Sequence, residues 1–358
     1  MKNFRLNKTL ETMKENNINQ IIISDPASIF YLTGQWIYPG ERMLVLYLNT
    51  NGQHKLFINE LFPTSENLDL EQIRFKDTDD AVEILCKHID KKGIIGIDKN
   101  WPAKFLLKLI ELNKESEYVN ASVIIDRIRM CKDYEEKNLM REASRINDMA
   151  MEEIIKIIPK KYSEKKLGEK LLNIYESLGA EGYSFDPILA YGKNTSDPHH
   201  EIDNTILKEG EGIIIDIGCR FNSYCSDMTR TVFYKSVSDN AKKIYNIVLE
   251  ANKRAINSVK PGVRFCDIDK VAREYIESFG YGKYFTHRTG HSIGIDVHDL
   301  GDVSSTNIDI LKPGMIFSVE PGIYLPNEVG VRIEDLVLVT DNGCEILNSY
   351  NKELTVIK

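Results

Sequence analysis

Short apolar runs alternate with helical patterns over the first third of the chain. Runs typical of buried strands cover 20–24, 43–48 and 93–97. Between them, segments 81–89 and 103–112 place apolar residues at the spacing of an amphipathic helix. Alternating strands and helices favour a sheet covered by helices, so the pattern predicts an α/β unit over residues 1–127.

A short charged segment at 126–132 follows this unit and is typical of a linker. Directly after it, Asp133 and Glu136 have the spacing of a capping box, a hydrogen-bonded pair that begins many helices. A long amphipathic helix is predicted to follow. We therefore expect a domain boundary at about 127–132 and a second domain over 133–358.

The second domain combines long helices with paired strands. Further helices are predicted at 163–178, 238–259 and 266–279. Apolar strand patterns cover 212–218, 225–233, 315–324 and 331–340. The pattern predicts an α+β domain of antiparallel strands with helices packed on one side.

Acids interrupt the first two of these strands. Asp216 lies within the apolar run 213–217, and Asp227 lies in the next strand. A buried lone carboxylate costs several kcal/mol unless it is paired or binds a cation. A hairpin that turns between Phe221 and Asn222 would set the two aspartates nearly opposite each other, where like charges repel.

The second strand pair repeats this arrangement. Glu320 ends the apolar run 316–319, and Glu334 lies in the strand 331–337. A turn centred on Asn327 would place these two acids opposite each other. Two such coincidences predict that four carboxylates converge around something cationic.

Either arginines or metal ions could neutralise this cluster. A purely structural ion network would use Arg230, Arg332 and Arg288. Two divalent ions would also balance four carboxylates. Carboxylate oxygens with one imidazole suit Mn²⁺, Co²⁺, Fe²⁺ or Zn²⁺ better than an all-oxygen calcium cage does.

Histidines supply the imidazole. The candidates lie in two short segments of the second domain, at positions 199, 287, 291 and 298. Gly290 and Gly294 flank His291 and permit close backbone approach. A lone histidine is more often a satisfied polar residue than a ligand, but these glycines and the nearby acid strands favour a ligand.

Composition argues against several classes of protein. The net charge of −8 argues against a nucleic-acid binder and against a basic membrane-surface protein. No run approaches the roughly 18 apolar residues of a spanning helix. The N-terminus lacks a signal-peptide core and the six cysteines form no CxxC pair. We therefore expect reduced thiols and a cytoplasmic location.

Together these motifs resemble the creatinase/aminopeptidase family of metallopeptidases, which has the pita-bread fold, and specifically its proline-specific branch. The matching segments occur in the family's order at 215–218, 226–231, 290–299, 318–324 and 331–335. Segment 28–34 also resembles the family's N-terminal domain. The resemblance spans essentially the whole chain. It implies a C-terminal pita-bread metallopeptidase domain preceded by a smaller α/β creatinase-like N-terminal domain.

The resemblance further implies a centre of two divalent metal ions, most often Mn²⁺ or Co²⁺, with Zn²⁺ and Fe²⁺ as alternatives. The implied ligands are Asp216, Asp227, His291, Glu320 and Glu334. Asp227 and Glu334 would serve both ions, and Glu320 would also accept a proton from the attacking water.

Other residues match the family's substrate-side positions. His199 and His298 match substrate-facing histidines, and we expect catalytic roles for both. Positions that would bind substrate are His287, Arg332 and, more loosely, Tyr324.

Two residues leave questions open at this point. His200 stands where the family commonly has a small residue, and we expect it to face solvent. Arg332 could bind the terminal carboxylate of a dipeptide or pair with the clustered acids.

The resemblance predicts hydrolysis of the Xaa-Pro peptide bond, with a dipeptidase favoured over an aminopeptidase that accepts longer peptides. A creatinase-like hydrolase lacks the metal ligands, and a silent binding protein would have lost some of them. A methionine aminopeptidase would not carry this N-terminal domain. The expected partners are proline-containing di- or oligopeptides and a second copy of the chain, with no nucleic acid and no membrane.

Overall fold

The computed structural model describes residues 2–64, 68 and 70–358. It divides into two compact units, Met1–Arg129 and Met130–Lys358. The segment predicted as a linker is mostly helical instead, because it belongs to a helix over Ser122–Met130. The prediction was wrong because the charges of 126–132 hid a helical pattern that begins before this segment, where Ile124, Ile125 and Ile128 are buried at helical spacing.

The N-terminal unit is a mixed sheet with helices. Its helices are α1 Asn3–Glu15, α2 Pro26–Thr33, α3 Ala81–Cys86, α4 Ala103–Leu112 and α5 Ser122–Met130. Its strands are β1 Gln20–Ile23, β2 Val45–Asn49, β3 Lys55–Asn59, β4 Glu71–Phe75, β5 Gly93–Ile97 and β6 Ser116–Asn120. Over the residues described, the strand order is β4-β3-β2-β1-β5-β6, so the predicted α/β unit is present.

The C-terminal unit carries four long helices and thirteen short strands within 130–358, a range described throughout. The helices are α6 Tyr134–Ile157, α7 Glu164–Ser177, α8 Asp239–Ser258 and α9 Phe265–Ser278. The strands up to the first hairpin are β7 Ile188–Tyr191, β8 Gly212–Ile217, β9 Arg220–Phe221, β10 Tyr224–Cys225 and β11 Met228–Tyr234. The remaining strands are β12 Gly290–His291, β13 Asp302–Val303, β14 Ile316–Val319, β15 Gly322–Leu325, β16 Val329–Arg332, β17 Asp335–Val339, β18 Cys344–Ile346 and β19 Val356–Ile357.

Helices cover one face of each sheet, as the sequence predicted. Alternate residues of β8 and β11 pack with α6 and α7, for example Ile215 and Val232. Alternate residues of β14 to β17 pack with α8 and α9, for example Phe317 and Val331. Because side chains alternate between faces along a strand, the positions between these residues point to the opposite face. Asp216 is one of them.

The first hairpin pairs two residues away from the predicted register. Asp216 faces Thr229 across the β8–β11 ladder, so it is not directly opposite Asp227. The turn falls at Asn222 and Ser223, whose φ angles of 44° and 72° suit a two-residue hairpin turn. A shift by two preserves the face, so Asp227 lies on the same side of the sheet as Asp216.

The second hairpin has the predicted register. The turn is at Asn327, where φ is 60°, and Leu325 pairs with Val329 beside it. The same register continues from the β15–β16 ladder into the β14–β17 ladder. Glu320 and Glu334 lie across from each other in the gap between these two ladders.

No helix among the described residues is both long and apolar enough to cross a membrane.

Candidate metal centre and its cavity

The acids predicted from the sequence converge in the C-terminal unit. One ligand atom each from Asp227, His291 and Glu334 lie within 4.8 Å of one another. The Nε2 atom of His291 is 3.5 Å from Oδ2 of Asp227 and 3.6 Å from Oε1 of Glu320. Asp216 lines the same cavity. The five residues proposed as ligands from the sequence are therefore neighbours in space.

Three buried carboxylate oxygens in this cluster receive no hydrogen bond from any described residue: Oδ1 of Asp216, Oδ1 of Asp227 and Oε1 of Glu334. Buried polar atoms are almost always paired, and an unpaired carboxylate oxygen is especially costly. A cation between the carboxylates would satisfy all three. The donor set therefore fits divalent metal ions.

The ring of His291 has the orientation that a metal ligand needs. Its Nδ1 lies 3.3 Å from the backbone carbonyl of Ser292, which can only accept, so Nδ1 carries the proton in the neutral ring. The lone pair of Nε2 then faces the oxygens of Asp227 and Glu320. A lone pair set against carboxylates is repulsive unless a cation lies between them.

Close backbone contacts position this histidine. A side chain at Gly290 would bring its Cβ to 1.9 Å from the carbonyl oxygen of Ser318, so only glycine fits there. The backbone N–H of His291 donates to Oγ of Ser318 at 3.0 Å, and that hydroxyl donates to Oε1 of Glu320 at 3.2 Å. Ser318 thus fixes His291 and Glu320 together.

Burial and mutual repulsion shift the pKa values of the clustered acids. Burial, followed by the charge of Asp216, raises the pKa of Asp227 well above its ordinary value. Burial and then the charge of Asp227 do the same for Glu334. Burial also acts to raise the pKa of Glu320, but the nearby His291 and His287 rings and the Arg332 cation bring it below the ordinary value. Glu320 is therefore the acid best suited to stay ionised and accept a proton.

The raised pKa of Glu334 predicts how the metal-free protein responds to pH. A carboxyl group with a raised folded-state pKa stabilises the fold below its ordinary pKa, and this contribution is lost as the pH rises through the folded-state pKa. We expect Glu334→Gln to increase the unfolding free energy of EDTA-treated protein at pH 8 by about 1–3 kcal/mol, and by less at pH 5. Denaturant unfolding at both pH values measures this.

The matched control is Glu328→Gln, which removes an exposed charge from the β15–β16 turn. We expect this control to leave the pH dependence of the unfolding free energy unchanged. A metal-free Glu334→Gln protein that is less stable than the wild type at pH 8 would contradict the repulsion among the acids.

Arg332 joins the acid cluster to two substrate-side residues. Its guanidinium donates to Oδ2 of Asp216 at 2.6 Å and to the hydroxyl of Tyr324 at 2.8 Å. His287 accepts from the same hydroxyl at 2.8 Å through Nε2, because its Nδ1 donates to the carbonyl of Arg288. Burial is the main reason that the pKa of His287 is lowered, so its ring is neutral. Arg332 therefore pairs with one of the clustered acids, Asp216, which is one of the two alternatives that the sequence left open for it.

A purely arginine-based neutralisation of the cluster does not fit the described residues. Arg332 pairs with Asp216, whereas Arg230 pairs with Asp335 at 2.7 Å. Neither reaches Asp227 or Glu334 as an ion pair among the residues described.

A cavity of about 230 Å³ opens beside the cluster. His199, His287, His298 and Arg288 line it together with the acids. The rings of His298 and His291 meet edge to face at 4.4 Å between centroids. Burial, together with the neighbouring His291, lowers the pKa of His298 to about 4, so its ring is neutral at physiological pH.

The structure corrects the expectation that His200 faces solvent. Its Nε2 lies 2.7 Å from Oε2 of the buried Glu164, and only 13% of its side chain is exposed. A solvent-facing position was expected because Glu164 is distant in sequence and its burial could not be read from the pattern. Glu164, His200 and Asp203 form a second group with metal-ligand chemistry. Here, however, both carboxylate oxygens of Glu164 already accept hydrogen bonds from protein donors.

Sequence reasoning missed two hydroxyl residues of the site. Thr229 donates to Oε2 of Glu334 at 2.7 Å and accepts from Nε of Arg332 at 3.2 Å. Ser318 fixes His291 and Glu320, as described above. Ser318 interrupts an apolar run, and Thr229 falls two residues after Asp227, on the same face of its strand. These two placements are the sequence signals that could have identified Ser318 and Thr229 as site residues.

Comparisons with known proteins cover nearly the whole chain. The model of metallopeptidase family M24 matches residues 138–341, and that of the creatinase/prolidase N-terminal domain matches residues 5–131. An Xaa-Pro dipeptidase of Pyrococcus furiosus is 33% identical over 98% of this chain and 99% of that protein. A solved dipeptidase structure from Pyrococcus horikoshii is 35% identical, with a TM-score of 0.91 over 99% of this chain and 100% of its own. An X-Pro aminopeptidase structure from Thermotoga maritima is 29% identical, with a TM-score of 0.83 over 97% of this chain and 100% of its own.

Proposed function

Because the chain belongs to metallopeptidase family M24, we propose that it is an Xaa-Pro dipeptidase that hydrolyses the peptide bond before proline. The observation that carries the proposal is the set of three buried carboxylate oxygens that no described residue pairs. They line a cavity in a chain whose whole length is similar to an Xaa-Pro dipeptidase of Pyrococcus furiosus.

Two divalent metal ions, Mn²⁺ or Co²⁺ in first place, fit the charge and the donor atoms of the cluster, and Zn²⁺ or Fe²⁺ would suit the same atoms. When bound, such ions lower the pKa of a water molecule towards neutrality and polarise the peptide carbonyl. The residues that would hold them are Asp216, Asp227, His291, Glu320 and Glu334.

The chain's own residues supply the remaining chemistry. Glu320, whose pKa is held below its ordinary value by the surrounding His291, His287 and Arg332, is placed to accept the proton of the attacking water. The neutral ring of His298 offers an N–H to the carbonyl oxygen as negative charge develops on it. His199 lines the same cavity and would orient the substrate or protonate the leaving proline nitrogen, which has no N–H of its own.

Two arginines and a tyrosine bear on recognition of a dipeptide. Arg332, Tyr324 and His287 form one hydrogen-bonded chain beside the acids. Arg332 already donates to Asp216, Tyr324 and the carbonyl of Pro198. Arg288 is exposed and lines the cavity. Together these cations would attract the terminal carboxylate of a dipeptide, with Arg288 free to approach it and Arg332 held in the cavity wall by its own hydrogen bonds.

An assay on three related substrates tests the proposal. The Mn²⁺-loaded protein is given a Xaa-Pro dipeptide, the same dipeptide with an amidated C-terminus, and a Xaa-Pro-Yaa tripeptide. We expect kcat/KM for the free dipeptide to exceed that of the other two by about tenfold or more, because only the dipeptide places a carboxylate beside the cavity arginines.

Cleavage of the tripeptide as fast as the dipeptide would contradict the dipeptidase assignment and indicate an Xaa-Pro aminopeptidase. Failure to cleave any of the three after metal loading would contradict the peptidase proposal itself.

A further inference from the structure

The wall of the cavity that carries His199 has little regular structure of its own. After β7, a short 3-10 turn over Gly192–Ser196 leads to Pro198 and His199, and both line the cavity. A catalytic side chain on such a segment needs support from elsewhere in the fold, because misplacement by about 1 Å can cost about a hundredfold in rate.

That support comes from Glu164, the first residue of α7, whose side chain is fully buried. Its Oε1 accepts from the backbone N–H of Tyr191 at 2.8 Å and from the side-chain amide of Asn194 at 3.0 Å. Its Oε2 accepts from Nε2 of His200 at 2.7 Å and from the backbone N–H of Asp203 at 3.0 Å. One carboxylate therefore ties together both ends of the segment that presents His199.

His200 is the member of this set that directly follows His199 in the chain. It is joined to His199 by a peptide bond, and its ring points away from solvent towards Glu164. On the other side, Arg332 donates to the carbonyl of Pro198 at 3.3 Å. The two neighbours of His199 are thus held by different groups: His200 by the buried Glu164, and Pro198 by Arg332 of the acid cluster.

We propose that the buried Glu164–His200 pair positions His199 towards the carboxylate cluster, and that His200 is a positioning residue for the peptidase reaction. This inference rests on the proposed function, because its first test measures hydrolysis of a Xaa-Pro dipeptide. His200 is not among the residues that line the cavity, so it acts through the backbone of its neighbour His199.

A double-mutant cycle with His199 tests the inference. We expect His200→Ala to lower kcat/KM on a Xaa-Pro dipeptide by about 10- to 100-fold, with bound metal and thermal midpoint close to those of the wild type. His200→Gln, whose side-chain amide can still donate to Glu164, should keep most of the activity. In the His199→Ala background, His200→Ala should change kcat/KM by less than about twofold. An equal effect of His200→Ala in both backgrounds would overturn the proposal, because the residue would then act independently of His199.

A second measurement does not depend on turnover. In protein labelled with ¹⁵N-histidine, the ring signals of His199 should move in His200→Ala and stay in place in His200→Gln. Unchanged His199 signals in His200→Ala would overturn the positioning role. If the wild type cleaves no Xaa-Pro peptide, the proposed function is wrong. The His199 ring signals would still show whether His200 positions His199.

Discussion

The Asp227→Asn variant should lose turnover and metal retention together. Asparagine keeps the size of the side chain but removes the charge from a residue whose Oδ1 is buried without a partner and whose Oδ2 faces His291. An amide nitrogen at that place would point a donor at the cation site. We expect kcat/KM to fall by about a thousandfold or more and metal affinity by at least about a hundredfold. Kinetics on a Xaa-Pro dipeptide and elemental analysis of the dialysed protein measure the two losses.

Asp341→Asn is the matched control because Asp341 is an exposed acid in the turn after β17. The control should retain wild-type activity and metal content. Near-normal turnover of Asp227→Asn would contradict its place in the metal centre. Full metal content with no turnover would contradict its role as a ligand.

The Glu320→Gln variant should lose turnover by about 10²- to 10⁴-fold, the range associated with removal of a general base. Glutamine can still accept the hydrogen bond that Ser318 donates to Oε1, so the side chain should stay in place. It cannot take up a proton. Because the remaining acids and His291 are unchanged, bound metal should fall much less than kcat.

Measuring kcat and metal content on the same preparation separates these two effects. Glu328→Gln, on the exposed hairpin turn, again serves as the charge control. A Glu320→Gln protein with at least half of the wild-type kcat would exclude Glu320 as the proton acceptor.

The two-domain architecture and the fold family could be predicted from the sequence because several motifs occur in order. The α+β prediction for the second domain, the pita-bread fold and membership in a metallopeptidase family are confirmed by the structure and by the family matches. The capping box at Asp133 and Glu136 is present, and α4 spans the predicted residues Ala103–Leu112. These features depend on local sequence, which is why they were accessible.

Features that depend on contacts distant in sequence were harder to predict. The first hairpin register was wrong by two residues because the turn occupies Asn222 and Ser223 and the strands are interrupted before Asp227. The long predicted strands at 315–324 and 331–340 each break into two, because Glu320 and Glu334 lie between the ladders. The partner of His200 lies 36 residues earlier in the chain, and no spacing rule connects them.

The two-residue turn at Asn222 and Ser223 has a consequence for how this hairpin tolerates insertions and deletions. Gly218 leaves no room for a side chain beside Ser226, since an added Cβ would lie 2.2 Å from the carbonyl oxygen of Ser226. A change in loop length that moved one strand past the other by a single residue would turn Asp227 into the apolar layer beneath α6 and α7. Only a register shift by an even number of residues would keep its carboxylate on the face that carries the acid cluster, so the size of this loop helps to fix where Asp227 points.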